Sequence, residues 1–579
     1  MRTSKNLFSE PEDEPGKKDG NTFEKLFGST EPCEPTKPVT LPSAVQPNPK
    51  FFFWAMRNIP IKWILKHLLI VGASGSGKTT AILLFIQSII YRVRLNVTVA
   101  QQVIAFDAKC NLIPFLAALG FKPEDEDVFI LNPFDARSVY WDISEAVTGA
   151  AMARYVAAQF IEEEKGSSAP YFYQASRELV FAVLIALAAN REKQPWDLRD
   201  FLCAFSSRET IAAVVKGHQR ASEIVARIIG DEKNSAGVIS TLGAKLGQFE
   251  EVAALWATCK NKKKFSVKEF LSHSGVLVLG NDPVMKESLK PINNIILKSL
   301  ADEGLQKSDT SEPRTFYILD EFPDLGKCDS VHHLLTMGRS KGISILLGTQ
   351  TNEGLEAVYG KQITEDIYAQ CAHKTFLRAG APGTAKWAEE YFGQVRYTEN
   401  TVTQSGNSTS TQYAVRDRSL FLASSFLNLP FPDSGLYGSI SDVPSEECVF
   451  VTRRSFPEIR SWIIKEADMP VREVAFKRSQ RFVGSQVALL TNLTRCIQKE
   501  FELSVGNDRA ANIATEHDDP SELLTHAQSP VHNLPDLKHA CHSAGIPADE
   551  EQLLFREPFP VDGDLHLHDL AAFMQEPEI

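Results

Sequence analysis

Nine consecutive residues, Gly72-Ala73-Ser74-Gly75-Ser76-Gly77-Lys78-Thr79-Thr80, carry the strongest chemical signal in the sequence. They contain the pattern G-x-x-x-x-G-K-[ST]. Its glycines let successive backbone N–H groups close around phosphates, its lysine reaches the β/γ oxygens, and its threonine hydroxyl reaches Mg²⁺. An apolar run, His67–Val71, precedes the loop and an apolar-striped helical pattern follows it. The loop therefore joins a strand to a helix N-terminus, whose positive dipole end faces the phosphates. The natural complement is TFYILDE, in which Asp320 and Glu321 end an apolar strand. With Thr79, Asp320 is expected to hold Mg²⁺. Glu321 is expected to orient and polarise a water, and Lys78 to complete the catalytic set, so that ATP is hydrolysed rather than its phosphate passed to a small acceptor.

Lys78 and Asp320 are 242 residues apart, a gap that compact nucleotide kinases do not need. Further strand patterns at 102–106, 127–131, 276–280, 315–319, 343–347 and 373–377 alternate with helical ones. Such alternation predicts an α/β fold with a doubly wound, mostly parallel sheet. Residues 144–274 break the rhythm with nearly continuous helical periodicity. The reading is a RecA-like P-loop NTPase whose nucleotide-binding domain comprises residues 51–143 and 275–477, interrupted by an inserted all-helical domain at 144–274. Residues 1–50, with eight prolines, and 478–579 are expected to be disordered tails.

The chain has 579 residues and a net charge of −12. From Phe501 onward 16 acidic residues face 3 basic ones, leaving 58 basic against 57 acidic in the remainder. The acidity belongs to the tail, so it does not argue against a polyanionic partner of the body. Nine scattered cysteines without a CxxC fit reduced thiols in a cytosol. No secretory signal opens the chain, and the longest apolar run, 179–189, is too short to cross a bilayer.

Beyond the two nucleotide motifs, the stretches QVIAFDAKCN, VFILNPFDARS, YILDEFPDLGK, MGRSKGISILLGTQTNEGLEAVYG and LNLP resemble the conjugative coupling proteins of type IV secretion systems, the TraD/TraG group. The resemblance implies a hexameric, DNA-stimulated ATPase that recruits sequence-independent DNA, or nucleoprotein, and pumps it toward a secretion or conjugation channel. Its implied partners are a relaxase or relaxosome and the channel proteins. It also implies that Gln350 senses the γ-phosphate and that Arg339 reaches a neighbouring subunit's ATP. Asp107 falls where the family has Asp-Pro-Lys, here Asp107-Ala108-Lys109, and Lys66 falls where relatives often carry an arginine. The family's usual amino-terminal anchor is missing from the sequence, so the expectation is a cytoplasmic protein that meets the membrane only through a partner. Two alternatives remain at this stage: a HerA/FtsK-like translocase not tied to secretion, and an ATP-switched recruitment scaffold.

Three lesser features complete the reading. Lys260, Lys262, Lys263 and Lys264 form a basic run that could neutralise phosphates or simply be solvated. The polar run 401–412 reads as a flexible loop without chemistry. His566 and His568 in the tail lack the partners a metal site would need.

Overall fold

Continuous apolar strands need cover on both faces, and here they have it. In the computed structural model the described residues are 48–454, apart from 56, 96–98, 164–169, 193–194, 231, 406–407, 433–435 and 442–448, together with Ile463. The acidic tail with His566 and His568, and all but the last three residues of the amino-terminal arm, lie outside them.

Nine strands form the central sheet: β1 (Leu68–Val71), β2 (Gln102–Asp107), β3 (Val128–Leu131), β4 (Gly275–Gly280), β5 (Thr310–Leu319), β6 (Lys341–Thr349), β7 (His373–Phe376), β8 (Leu436–Ser441) and β9 (Val449–Arg454). Their order is β9-β8-β7-β1-β6-β5-β2-β4-β3. The seven from β7 to β3 are parallel, whereas β8 and β9 add on in antiparallel fashion. The nucleotide-loop strand β1 is thus separated from the Asp320 strand β5 by β6, as a RecA-like α/β fold requires. All seven strands read from the sequence are present. The antiparallel pair β8–β9 was not read.

Alternation sorts the strand side chains between two cores. Leu68, Ile70, Val103, Ala105, Phe316 and Ile318 face helix α1 (Lys78–Ile89), and Leu69, Val71, Ile104, Phe106, Tyr317 and Leu319 face the opposite layer. On the α1 side an antiparallel hairpin, Phe51–Trp54 with Arg57–Pro60, sets Phe52 and Trp54 edge-on against Phe85. The opposite core runs on into the segment between β3 and β4. Its regular elements from Ala150 to Thr258 are helices, including α2 (Pro170–Ala189). Among the described residues, α2 is the one helix long and apolar enough to cross a membrane, and its Leu179–Ala186 stretch is buried or nearly so.

A two-residue parallel ladder, Tyr140–Trp141 with Lys264–Phe265, ties the end of this helical segment to its start. Here the basic run finds its partners. Lys260 pairs with Asp197 at 2.5 Å, and Lys262 donates to the Ala136 carbonyl at 2.6 Å. Lys263 donates to the carbonyls of Asp125, Glu126 and Val128 and lies 3.7 Å over the Phe129 ring. Lys264 pairs with Glu145 at 2.7 Å and Asp142 at 3.5 Å. Each ammonium thus finds oxygens of its own chain, while Lys260 and Lys264 keep 41% and 47% of their side chains exposed, so the run is partnered and still meets solvent, as the solvated reading expects.

The 401–412 reading is corrected. That stretch lies within a ribbon, Gln394–Ser405 paired antiparallel with Ser408–Ser419. Its Thr- and Val-rich arms and the intervening Gly406-Asn407 are the sequence signature of a hairpin, outweighed in the loop reading by polarity.

Candidate active site

At the carboxyl end of β1 the chain turns through Gly72–Gly77 into α1. The Gly72 N–H donates to the Thr349 carbonyl at the end of β6 and the Ala73 N–H to the Arg378 carbonyl just past β7, so both neighbouring strands fix the loop. Gly77 caps α1 with φ +93°, a conformation that side chains resist, which places Lys78 on the first helical turn.

Lys78 is 4% exposed, with its Nζ 2.5 Å from Glu321 Oε1 and 3.3 Å from Asp320 Oδ1. Glu321 itself is 7% exposed and holds φ +55°, an uncommon conformation for a residue with a side chain. Its Oε1 also accepts from Gln350 Nε2 at 3.0 Å. Gln350 directly follows β6, and that strand passes Asp320 so closely that a Cβ on Gly348 would meet Asp320 Oδ1 at 2.9 Å. A glycine there lets the two strand ends converge. Sequence reasoning missed Gly348, although ISILLGTQ displays it.

Thr79 Oγ1 faces Asp320 Oδ2 at 3.5 Å, and Asp320 Oδ1 is buried without a hydrogen bond despite the nearby ammonium. Two hard oxygens meeting at the rim of a phosphate loop fit Mg²⁺, which binds through one or two protein oxygens plus phosphates and water. Among the described residues no group of three or more His, Cys, Asp or Glu side chains could hold a metal unaided. Burial, and next the charge of Glu321, push the Asp324 carboxyl above its ordinary range, with Lys286 and Lys78 opposing the shift.

Lys78, Thr79, Asp320, Glu321 and Gln350 therefore converge, with Ala73, Ser74, Gly75, Ser76 and Thr80 in or beside the loop. Arg339 does not join them. It is exposed on the turn Gly338–Ser340, at the opposite end of β6 from Gln350. Nine strand residues put about 30 Å between those ends. Lys66, at the Arg339 end of the sheet, lies 5.3 Å over the Trp63 ring. Asp107 accepts from the N–H groups of Asn111 and Leu112. Sequence reasoning passed over Lys109, two residues on, whose Nζ donates to Thr79 Oγ1 at 2.9 Å.

His67 immediately precedes β1, toward the Arg339 end of the sheet. It is 2% exposed with φ +57°, and its Nδ1 accepts from the Ile345 N–H. Burial lowers its pKa to about 4, with the charges of Arg339 and His373 acting in the same direction. The unfolded chain thus binds a proton that the native state refuses between pH about 6.5 and about 4. Stability should fall as pH drops through that window, by at most about 3 kcal/mol from this residue. His67→Asn, whose residue tolerates positive φ, should flatten the dependence. Thermal midpoints at pH 7 and pH 5 check this, and equal slopes for the two proteins would reject the assignment.

The family described as the type IV secretion-system coupling protein DNA-binding domain matches residues 54–444. The coupling protein TraD of Escherichia coli (strain K12) is 23% identical over 273 residues, 46% of this chain and 37% of that protein. A conjugal transfer protein TraG of Escherichia coli is 26% identical over 231 residues, 36% of each. The matches thus span little more than a third of either relative. Among solved structures, the unbound bacterial conjugative coupling protein TrwBdeltaN70 superposes with TM-score 0.57 at 17% identity, covering 74% of this chain and 93% of that one. The plasmid coupling protein TrwB in complex with ADP and Mg²⁺ gives TM-score 0.53 at 16% identity over 74% and 93%. At such identities the structures establish the fold, and the family match, running through two thirds of the sequence, establishes the lineage. The chain belongs to the type IV secretion-system coupling protein family, matching it through the DNA-binding domain.

Proposed function

We propose that this chain is an ATP-driven DNA translocase that brings DNA or nucleoprotein to a type IV secretion or conjugation channel, working as a ring, on the family reading a hexamer. The observation that carries the proposal is the convergence of Lys78, Asp320, Glu321 and Gln350 where β1, β5 and β6 end beside a phosphate-binding loop. In this reading the loop N–H groups and Lys78 grip the β- and γ-phosphates. Thr79 and Asp320 hold Mg²⁺, which when bound neutralises charge across those two phosphates. Glu321 takes the proton of the attacking water. Gln350, bonded to that same carboxylate, registers whether the γ-phosphate is present and moves β6 with it.

The match to a DNA-binding domain family and the coupling relatives support the DNA and secretion parts of the reading. A relaxase or relaxosome and the channel proteins would then be its partners. The decisive experiment measures phosphate release by the purified chain with and without single- and double-stranded DNA, alongside its mass in solution. We expect DNA to raise turnover and nucleotide with DNA to drive assembly. Turnover indifferent to DNA would favour a recruitment scaffold, and a monomer releasing no phosphate would overturn the proposal.

A further inference from the structure

The turn after β2 is constructed with more care than a connection needs. Asp107 is 4% exposed, and its two oxygens accept from the N–H groups of Asn111 at 3.1 Å and Leu112 at 3.0 Å. Cys110 holds φ +58°, which costs a residue with a Cβ on the order of 1 kcal/mol. Its Sγ reaches the Asn281 carbonyl at 2.9 Å, and Asn281 Nδ2 donates back to the Ala108 carbonyl at 3.1 Å. Asn132 Nδ2 donates to the same Asn281 carbonyl, so the ends of β2, β3 and β4 are laced together. Lys109 projects from this braced turn. Its Nζ donates to Thr79 Oγ1 at 2.9 Å and stands 3.7 Å from both Asp320 Oδ2 and Glu321 Oε1.

We infer that Lys109 is a second phosphate-binding lysine, which grips the terminal phosphate of a nucleoside triphosphate within its own chain and so lets the site discriminate triphosphate from diphosphate. The inference deepens the nucleotide-hydrolase reading and rests on it. Position carries it. In that reading Thr79 and Asp320 mark the divalent cation between the β- and γ-phosphates, and Glu321 marks the water in line with the γ-phosphate. An ammonium in contact with the first and 3.7 Å from the other two lies on the γ side of the loop, on the far side of Asp320 and Glu321 from Gln350. Lys78 enters from α1 and Lys109 from the end of β2, so two cations approach the same oxygens from different directions.

Electrostatics supplies the reason for a second one. Asp320, Glu321 and Asp324 crowd the site with negative charge, and an incoming triphosphate adds more. Lys78 and one divalent cation together carry three positive charges, fewer than the carboxylates and the β- and γ-phosphates bring. Lys109 has its side chain 45% exposed on a flexible stem, so its head can move from carboxylate to phosphate without disturbing the braced turn behind it.

The test compares equilibrium binding of ADP with that of a non-hydrolysable ATP analogue, in Mg²⁺, to the wild type, Lys109→Met and Lys109→Arg. Lys109→Met should weaken the ATP analogue roughly 10- to 100-fold while leaving ADP within about twofold, and Lys109→Arg should recover most of the loss. Equal weakening of both nucleotides would show a lysine that merely shapes the loop, and would overturn the inference. So would unchanged or tighter binding of the analogue. A wild type that binds neither nucleotide and releases no phosphate would instead defeat the underlying hydrolase reading. A wild type that binds and hydrolyses, with Lys109→Met matching it, would defeat only the role of Lys109.

Discussion

Glu321→Gln should leave ATP bound and almost unhydrolysed. The substitution keeps the shape of the side chain and an oxygen that can accept from Gln350 and Lys78, so the buried cluster stays filled. What it removes is the group able to take a proton from water. General-base contributions run to about 10²–10⁴-fold, and turnover should fall by at least the lower figure. Affinity for ATP should hold or rise, because in the wild type the Glu321 carboxylate competes with phosphate for the Lys78 ammonium. Lys78→Ala should behave in the opposite way, losing affinity and turnover together, because both carboxylates would then face the phosphates without that cation between them. Nucleotide binding by calorimetry and phosphate release on the same preparations separate the two cases. Substantial turnover in Glu321→Gln would remove the residue from the role of base, and the phosphate grip of Lys78 would be judged separately.

The parts of this site that can be read from sequence are those in which one residue type has one physical reason. Glycines before a lysine and threonine mean backbone wrapped on phosphate, and an apolar strand ending in Asp320-Glu321 means charge at a sheet edge. The seven parallel strands are legible for a similar reason, since burial on both faces makes them continuously apolar. Legibility fails where partners are distant. Nothing local to Lys263 says that three carbonyls around Asp125 await it, and a basic run reads alike whether it faces solvent, nucleic acid or its own chain. Gly348 matters only because β6 lies against β5, and Lys109 only because β2 lies on the far side of β5. In the Asp107-Ala108-Lys109 triplet attention fell on the carboxylate, yet that carboxylate is spent on backbone N–H groups and the lysine reaches the site. The ribbon around 401–412 failed differently, because its signal was local but was outweighed by polarity.

Arg339→Ala should cripple turnover without weakening the fold, and the damage should be repairable by a neighbour. Arg339 is exposed on a short turn at the amino end of β6, so its loss removes little packing. Its own nucleotide loop lies at the far end of that strand, about 30 Å away, beyond the reach of any side chain. If Arg339 acts on ATP at all, it must act on the ATP of another protomer, as a positive charge delivered across a seam to the developing charge of phosphoryl transfer. Fingers of this kind contribute roughly 10³- to 10⁵-fold elsewhere. Arg339→Ala and Glu321→Gln should each be nearly inactive alone. Mixed and reassembled at equal amounts, about a quarter of the seams join an intact Glu321 from one chain to an intact Arg339 from the next, if rings assort at random. Phosphate release should therefore reappear on mixing, while a mixture of Arg339→Ala with Lys109→Met reports whether restoration needs the γ-phosphate grip in the same chain as Glu321. No recovery from the first mixture, with exchange of subunits verified by mass, would place Arg339 outside the catalytic seam.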